Sequence, residues 1–449
     1  MPTNVSATHA SHASLAFATA SWVLIALNYA LLCHYPEKKR LRFAYLAVSG
    51  PVALALVPLG VDALPKALSV QITGAYFAIY LRAIEYCVLE DPCPSPRSKW
   101  QYFLAALRDS YLPFEKGAVA GRASLGQAPA QLQQPQRPGP GPKHSHLERQ
   151  PLAAAGSSYP AAVARLLFEV ALQYIVYDSL LTLCVKPLSG AAVAGSGSGA
   201  LTLFSAASLQ ASASFAVCLY LHFAISNKCI VLALSLAQPG LLYRCRHLFR
   251  EPWRGLLSVS ELWQRWHQLF RMTFVRLAYR PARAGVRRLL GAGPRAGGAG
   301  ANDDSDPAAK GDGKAARRGG GGAAIVAEGV ALFAVFLLSG VIHEYMCWAA
   351  FGAARGWQLL FFLSHAAAIL VEQAAAAAIA RRSVPRGGAP LGPVLPGVLR
   401  GAMGAASAVF CVLSSVAFMR PWLEAGYYRD IWHPVSPVGW AMQRLGGER

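Results

Sequence analysis

The residues of this sequence best suited to chemistry are two histidines in unusual settings. The first, His343, lies inside a long apolar stretch, and Ser339 and Gly340 precede it by about one helical turn, so the three share one face of a predicted helix. An ionisable group inside a bilayer is costly and usually faces a bundle interior, a cavity or a pathway. A neutral imidazole there can accept the proton of an alcohol that attacks a carbonyl. The alternative is a hydrogen bond between two helices.

The second histidine, His267, lies in a segment rich in aromatic residues, leucine and arginine. Ser258 and Glu261 have the spacing of a capping box, and we expect a helix from about 259 to 279 that stops before Pro281. Such a helix is typical of a membrane interface. Its arginines indicate an anionic partner, either lipid head groups or the phosphates of coenzyme A. The alternatives are a plain interfacial helix and a purely structural histidine.

Two further pairs of polar residues fall in apolar stretches. Arg82 and Glu85 are three residues apart, which predicts a structural ion pair. His365 and Glu372 are seven apart and share a helix face, where they can line one cavity. The sequence contains no nucleophile elbow, phosphate-binding loop or zinc-protease motif, and its nine scattered cysteines include no C-x-x-C pair. We therefore expect no metal site, no disulfide framework and no serine acyl-enzyme.

The elements that position these residues are predicted to be membrane-spanning helices. Hydrophobic residues make up 54% of the 449 residues and charged residues only 14%, too few to cover several soluble domains. We predict an all-α, polytopic integral membrane protein with about eight transmembrane helices, because apolar runs of about 18 residues or more can cross a bilayer. These runs are 14–33, 43–61, 68–90, 161–185, 203–225, 325–351, 358–380 and 398–419. A shorter stretch, 229–238, is interpreted as interfacial or re-entrant.

The net charge of +20 is explained mainly by membrane topology. The loops on one side of the predicted bundle hold 32 of the 42 Lys and Arg residues, and they are 34–42, 91–160, 226–324 and 381–397. The positive-inside rule places these loops in the cytosol and both termini in the lumen or outside the cell. No basic nucleic-acid-binding motif accompanies the charge, so no nucleic-acid partner is expected.

Composition also divides the chain into regions. Residues 1–116 are predicted to form an N-terminal membrane region with three spans, and 161–449 a second membrane region that contains both histidines. Between them, 117–160 is predicted to be a disordered cytosolic loop, and 291–322 is a low-complexity insertion in the second region. Both stretches are rich in Gly, Pro and Ala and cannot bury enough apolar surface to offset the entropy of ordering them.

Together, the two histidine motifs resemble the wax synthase branch of the membrane-bound O-acyltransferases, which are long-chain-alcohol O-fatty-acyltransferases. The segment ELWQRWHQLFR at 261–271 is similar to the family's cytosolic W-x-R-x-W-H-Q-x-F-R signature, and FLLSGVIHEY at 336–345 is similar to its S-G-x-x-H-E signature in the next span. The resemblance covers about 249–419, which makes 161–449 the catalytic region. Residues 1–110 match only as a hydropathy pattern.

This resemblance implies an acyl-CoA-dependent transfer of a fatty acyl group to the oxygen of an alcohol, which forms a wax ester. His343 matches the family's catalytic histidine. His267 matches a second functional position, which is Asn in the related sterol and diacylglycerol acyltransferases. Other motif residues are expected to bind substrate, namely Trp263, Arg265, Trp266, Gln268, Arg271, Ser339 and Glu344. The arginines near 265–280 are expected to hold the phosphates of coenzyme A.

The resemblance also implies the partners and the location. Acyl-CoA enters from the cytosol as a substrate, no cofactor is expected, and a long-chain or other lipid alcohol enters from the bilayer. The expected location is the endoplasmic reticulum, among membrane lipids. Two other interpretations stay open: a related acyltransferase for a sterol, a terpenoid alcohol or a diacylglycerol, and a transporter or non-catalytic membrane protein. In the last case His343 is a proton-relay or packing residue.

Overall fold

The computed structural model describes most of the predicted helical regions. The described residues are 38–61, 64–88, 157–189, 205–245, 251–266, 270–291, 321–382, 394–427 and 436–446, with short pieces at 152–153 and 247–249 and scattered positions from 16 to 35. Within these ranges the regular structure is helical, without a strand. The predicted all-helical class is therefore confirmed for this part of the chain.

The described residues form helices of very different lengths. In chain order they are α1 Lys39–Val61, α2 Lys66–Val88, α3 Tyr159–Leu180, α4 Ala206–Ala237, α5 Leu241–Arg244, α6 Val259–Arg265, α7 Arg271–Phe274, α8 Arg280–Leu289, α9 Gly321–Phe351, α10 Trp357–Arg382, α11 Val394–Glu424 and α12 Pro437–Gly446. A 3-10 turn, Pro252–Gly255, precedes α6, and π-helical turns follow α3 at Leu181–Val185 and α7 at Val275–Tyr279.

Among the described residues, six helices are long and apolar enough to cross a membrane. They run over Arg40–Val61, Tyr159–Ser189, Ala206–Leu236, Gly322–Phe351, Trp357–Ile379 and Gly397–Glu424. The chain is therefore a polytopic membrane protein, and six of the eight predicted apolar runs are confirmed as candidate spans.

The predicted count of eight spans is wrong for the described ranges. Helix α2 forms where a span over 68–90 was predicted, but it is not among the six. It carries charge at Lys66, Arg82 and Glu85, which lowers its hydropathy. Of the remaining predicted span, 14–33, ten residues are described, and all ten are helical; the other ten lie outside the described residues.

Helix α4 corrects a second expectation. The stretch 229–238 was predicted to be re-entrant or interfacial, whereas it is the last part of one continuous helix of 32 residues, about 48 Å long. Neither Pro nor Gly occurs between residues 206 and 237, and the break comes at Pro239 and Gly240, where the chain turns.

Polar residues inside the spans are paired with residues of other helices. Lys228 of α4 is 4% exposed, and its ammonium donates to the carboxylate of Glu169 in α3 at 2.9 Å. Asp178, also in α3, is fully buried and accepts hydrogen bonds from Ser436 Oγ at 2.8 Å and from the amide of Val438 at 2.9 Å. Because Val438 is in the first turn of α12, Asp178 caps that helix and fixes it to the bundle.

The end of the predicted disordered loop 117–160 makes defined contacts. The side chains of Leu152 and Ala153 are buried, and their amides donate to the carbonyls of Cys245 and Leu242, respectively. Most of the earlier part of this loop lies outside the described residues, as does most of the insertion 291–322.

Candidate active site

His343 lies in the second half of α9 and is bound to its own helix. Its Nδ1 is 2.8 Å from the carbonyl oxygen of Ser339, one turn earlier. A carbonyl oxygen only accepts, so Nδ1 must carry the proton and donate it. In the neutral ring, Nε2 is then unprotonated and is the atom that can accept a proton. The local helix thus selects the tautomer that a general base at Nε2 requires.

Two aromatic rings pack against His343. The centroid of its ring is 4.6 Å from that of Phe362 in α10 and 5.6 Å from that of Phe418 in α11. Phe362 is 2% exposed and Phe418 is 9% exposed, so this wall of the site is dry and apolar. A low-polarity wall suits an apolar substrate.

Glu344, the next residue, points its carboxylate at a different helix. Its Oε1 accepts hydrogen bonds from the amides of Gln358 at 2.7 Å and Leu359 at 3.4 Å, in the first turn of α10. The unpaired amides and the dipole at a helix N-terminus favour a carboxylate there. Glu344 therefore caps α10 and ties it to α9. Its predicted part in substrate binding stays a prediction.

Gly340 is required by the close approach of α9 to α10. A Cβ atom at this position would lie 3.2 Å from Cα of Leu359 and 3.0 Å from its Cδ2. Ser339, beside it, is 7% exposed. The small residues that precede His343 thus let the two helices touch, which brings Phe362 against the histidine ring.

The other motif begins in α6, whose N-terminus is capped twice. The Oγ of Ser258 accepts from the amide of Glu261 at 3.1 Å, as predicted from the capping-box spacing. The return bond of a capping box is missing, because the Ser258 amide donates to the carbonyl of Gly255 instead. A carboxylate oxygen of Glu372 in α10 accepts from the amide of Ser260 at 2.9 Å.

Trp263 supplies a second contact between α6 and α10. Its indole N–H donates to Nδ1 of His365 at 2.9 Å, and Nε2 of His365 lies 2.9 Å from Oγ of Ser414 in α11. His365 and Glu372 share a face as predicted, but that face binds α6. The sequence did not indicate this role, although two polar residues seven apart in an apolar helix are the signal that a partner lies against it.

The two sequence motifs meet at one phenylalanine. The ring of Phe362 is 5.6 Å from the ring of Trp263 and 4.6 Å from the ring of His343, measured between centroids. Segments that lie 80 residues apart in the chain are therefore neighbours across a single buried side chain. This juxtaposition is the main structural support for treating them as one site.

The continuous helix predicted over 259–279 is wrong. Helix α6 ends at Arg265, and Trp266 leaves it with an extended ψ of 173°. The Trp266 ring packs edge-on against Phe249 at 5.2 Å, a contact with an earlier segment that competes with continuing the helix. The catalytic candidate His267 and the binding candidate Gln268 lie just beyond, outside the described residues.

The predicted stop before Pro281 is also wrong, since α8 contains this residue and continues to Leu289. The preceding turn is π-helical, with the amide of Arg280 donating to the carbonyl of Val275 five residues back. A widened turn relieves the clash that a proline ring makes in an α-helix.

The arginines of this segment are not equivalent. Arg276 is bound to the buried carboxylate of Glu85 in α2 at 2.6 Å, and Thr273 donates to the same carboxylate at 3.0 Å. Arg265 lies 3.5 Å from Glu261 on its own helix, and Arg271 is exposed at the start of α7. Glu85 was expected to pair with Arg82, whose side chain is outside the described part. Arg276 is therefore occupied by a structural ion pair.

The comparisons with known proteins give no family assignment. No family model matches the chain, and no curated protein matches it. The resemblance to acyltransferases therefore stays a prediction from the two sequence motifs.

Proposed function

We propose that this protein is an acyl-CoA-dependent O-acyltransferase that esterifies a fatty acyl group onto a long-chain alcohol, forming a wax ester. The observation that carries the proposal is the hydrogen bond from Nδ1 of His343 to the carbonyl of Ser339. It leaves Nε2 as a proton acceptor within a spanning helix, beside apolar aromatic rings. The meeting of both motifs at Phe362 supports the same conclusion.

In the proposed reaction, Nε2 of His343 takes the proton of the alcohol as the alcohol oxygen attacks the thioester carbonyl carbon. The new C–O bond forms, the C–S bond breaks, and coenzyme A leaves as a thiolate that recovers the proton from the imidazolium. His267 donates a hydrogen bond to the carbonyl oxygen while negative charge develops there. No acyl-enzyme forms, since the attack on acyl-CoA is direct.

The two substrates are proposed to reach the site by different routes. Acyl-CoA arrives from the cytosol along α6 and α7, where Arg265 and Arg271 bind its phosphates. Arg276 is not used, because the buried carboxylate of Glu85 holds it at 2.6 Å, whereas the carboxylate of Glu261 beside Arg265 is exposed. The alcohol arrives from the bilayer. The protein lies in the endoplasmic reticulum membrane with both termini in the lumen.

The test is the product formed from labelled acyl-CoA. Microsomes from cells that lack neutral-lipid synthesis but express this protein are given the acyl donor with a long-chain alcohol, a sterol, a terpenoid alcohol or a diacylglycerol. We expect labelled wax ester. A steryl ester, a terpenoid ester or triacylglycerol would identify a different acceptor for the same chemistry. No product with any acceptor, at a normal protein level, would favour a transporter or a non-catalytic protein.

A matched histidine variant controls for damage to the bundle. His222 also lies in a spanning helix, and its Nε2 is 3.0 Å from the side-chain nitrogen of Gln71. We expect His222→Asn to keep activity within about threefold of the parent, whereas His343→Asn loses about 10² to 10⁴ in rate, as for a lost general base. Equal losses in both variants would count against a catalytic role for His343.

A further inference from the structure

Helix α8 is fixed to the start of α9 through one carboxylate. Glu328 accepts a hydrogen bond from the Tyr279 hydroxyl, and the Arg283 guanidinium lies 2.5 Å from its other oxygen. Glu328 is in the second turn of α9, whose apolar span begins at Gly322. The contact therefore places α8 at one end of a spanning helix, beside the membrane boundary.

The outer surface of α8 is basic. Arg280 and Arg287 are seven residues apart and share a face, with Arg288 next to it. Arg280 and Arg288 are exposed and Arg287 is half-buried, and no described carboxylate forms an ion pair with any of the three. This basic face of α8 is chemically different from Arg276 and Arg283, which are neutralised by Glu85 and Glu328.

Two leucines extend beyond the basic face. Leu289 is 86% exposed and Leu290 is 49% exposed, at the end of the helix. Exposed leucines beside a cluster of arginines are costly in water, but they suit the boundary between phospholipid head groups and acyl chains. A soluble phosphate would make no apolar contact with these leucines.

We propose that the basic face of α8, with Leu289 and Leu290, binds anionic phospholipid head groups of the membrane that surrounds the protein. The arginines contact the head groups and the leucines enter the acyl-chain boundary. Anionic lipids are concentrated in the cytosolic leaflet, which is the side that the positive-inside rule assigns to this segment. The surface holds the segment that leads from α6 to α9 against the membrane.

The test measures lipid binding and does not use acyl transfer. Purified full-length protein in neutral detergent is titrated with mixed micelles that contain phosphatidylserine as the only anionic component. At low salt, the Arg287→Gln/Arg288→Gln double variant should bind about 30-fold more weakly, since each arginine near such a surface contributes about fivefold. The Arg287→Lys/Arg288→Lys variant should bind nearly as well as the parent, because the attraction depends on charge. Leu289→Ser/Leu290→Ser should weaken binding without changing its salt dependence.

A control pair of arginines shows whether the binding belongs to this surface. Arg355→Gln/Arg444→Gln removes the same net charge from two exposed arginines elsewhere, of which Arg355 pairs with Glu424 and Arg444 lies over the Trp440 ring, and should bind within about twofold of the parent. If the control variant bound lipid as weakly as the Arg287→Gln/Arg288→Gln variant, net charge alone would explain the effect, and the proposal would be overturned. Equal binding of phosphatidylcholine micelles, competition by inorganic phosphate or unchanged binding of the Gln double variant would each overturn it too. Size-exclusion profiles confirm that each variant is folded.

Discussion

Trp263 and His365 join α6 to α10 through a hydrogen bond of 2.9 Å between the indole N–H and Nδ1 of the imidazole. Because Nδ1 accepts, Nε2 carries the proton of the neutral ring and donates to Ser414 Oγ in α11. One histidine thus connects three helices. The Glu372 carboxylate, also in α10, accepts from the amide of Ser260 in α6. His365 and Glu372 thus hold the 261–271 motif against α10, the helix whose Phe362 contacts His343.

Removing the indole donor should destabilise the bundle. We expect Trp263→Phe to lower the free energy of unfolding by about 1 to 3 kcal/mol, because Nδ1 of the buried His365 loses its partner. The measurement is denaturation of the purified protein in detergent. The exposed Trp253 offers a matched control, and Trp253→Phe should change the same free energy by less than about 0.5 kcal/mol.

A double-variant cycle isolates the pair. If the bond contributes as proposed, Trp263→Phe and His365→Phe together should cost less than the sum of the single changes, by about 0.5 to 3 kcal/mol. Strictly additive costs would show that the two residues stabilise the protein independently and that the bond is not what fixes α6.

The helix contact at Gly340 gives a second prediction. Gly340→Ala puts a methyl group 3.2 Å from the backbone of Leu359, so α9 and α10 must separate. We expect a loss of about 1 to 3 kcal/mol in stability, and lower activity because Phe362 moves relative to His343. Unfolding in detergent and the acyl-transfer assay are the measurements. Gly329→Ala is the control in the same helix, where the nearest atom is a flexible leucine methyl at 3.7 Å. Equal losses for both would contradict the packing argument.

Hydropathy predicted the spans well because the cost of placing residues in lipid acts on each segment separately. It also indicated His343 as a candidate, a role that stays a prediction, since a titratable group in an apolar helix stands out in the sequence. The same reasoning indicated His365 and Glu372 only as possible cavity residues. Their partners, Trp263 and Ser260, are about 100 residues away, so only the folded chain shows that they bind α6.

The local structure of 259–289 could not be predicted from periodicity. The aromatic pattern continues through Trp266, but the packing of its ring on Phe249 ends the helix there. Pro281 normally stops a helix, but the π-helical turn before it lets the chain continue into α8. In both places a long-range contact or a register shift overrides a local signal.

Most of the loop 117–160 should tolerate deletion, but its buried end at Leu152 and Ala153 should not. Replacing 124–148 with a short Gly/Ser linker should leave membrane insertion and activity largely intact, because its composition cannot bury much apolar surface. Extending the deletion through Ala153 should reduce stability by about 1 to 3 kcal/mol, because the amides of Leu152 and Ala153 donate to the carbonyls of Cys245, just after α5, and Leu242, within α5, and both residues are buried. Protein level in membranes and unfolding in detergent measure both effects. Equal behaviour of the two deletions would contradict this boundary.

Topology gives a prediction about the two sides of the membrane. From the positive-inside rule, we expect the basic segments 34–42 and 381–397 to face the cytosol, together with the insertion 291–322. A glycosylation acceptor inserted near residue 305 should remain unmodified, whereas one at the C-terminus should be modified, as seen by a shift in gel mobility. The reverse result would remove the proposed cytosolic route for acyl-CoA.

The last prediction separates the roles of the two histidines. His343→Asn should abolish transfer, because an amide cannot take a proton near neutral pH and Nε2 is the proposed acceptor. His267→Asn should keep a measurable fraction and His267→Ala less, because an amide still donates a hydrogen bond to a developing oxyanion. We expect the first variant to lose about 10² to 10⁴ in rate at an unchanged protein level in membranes. Activity retained in His343→Asn but lost in His267→Asn would mean that the general base and the hydrogen-bond donor are assigned the wrong way round.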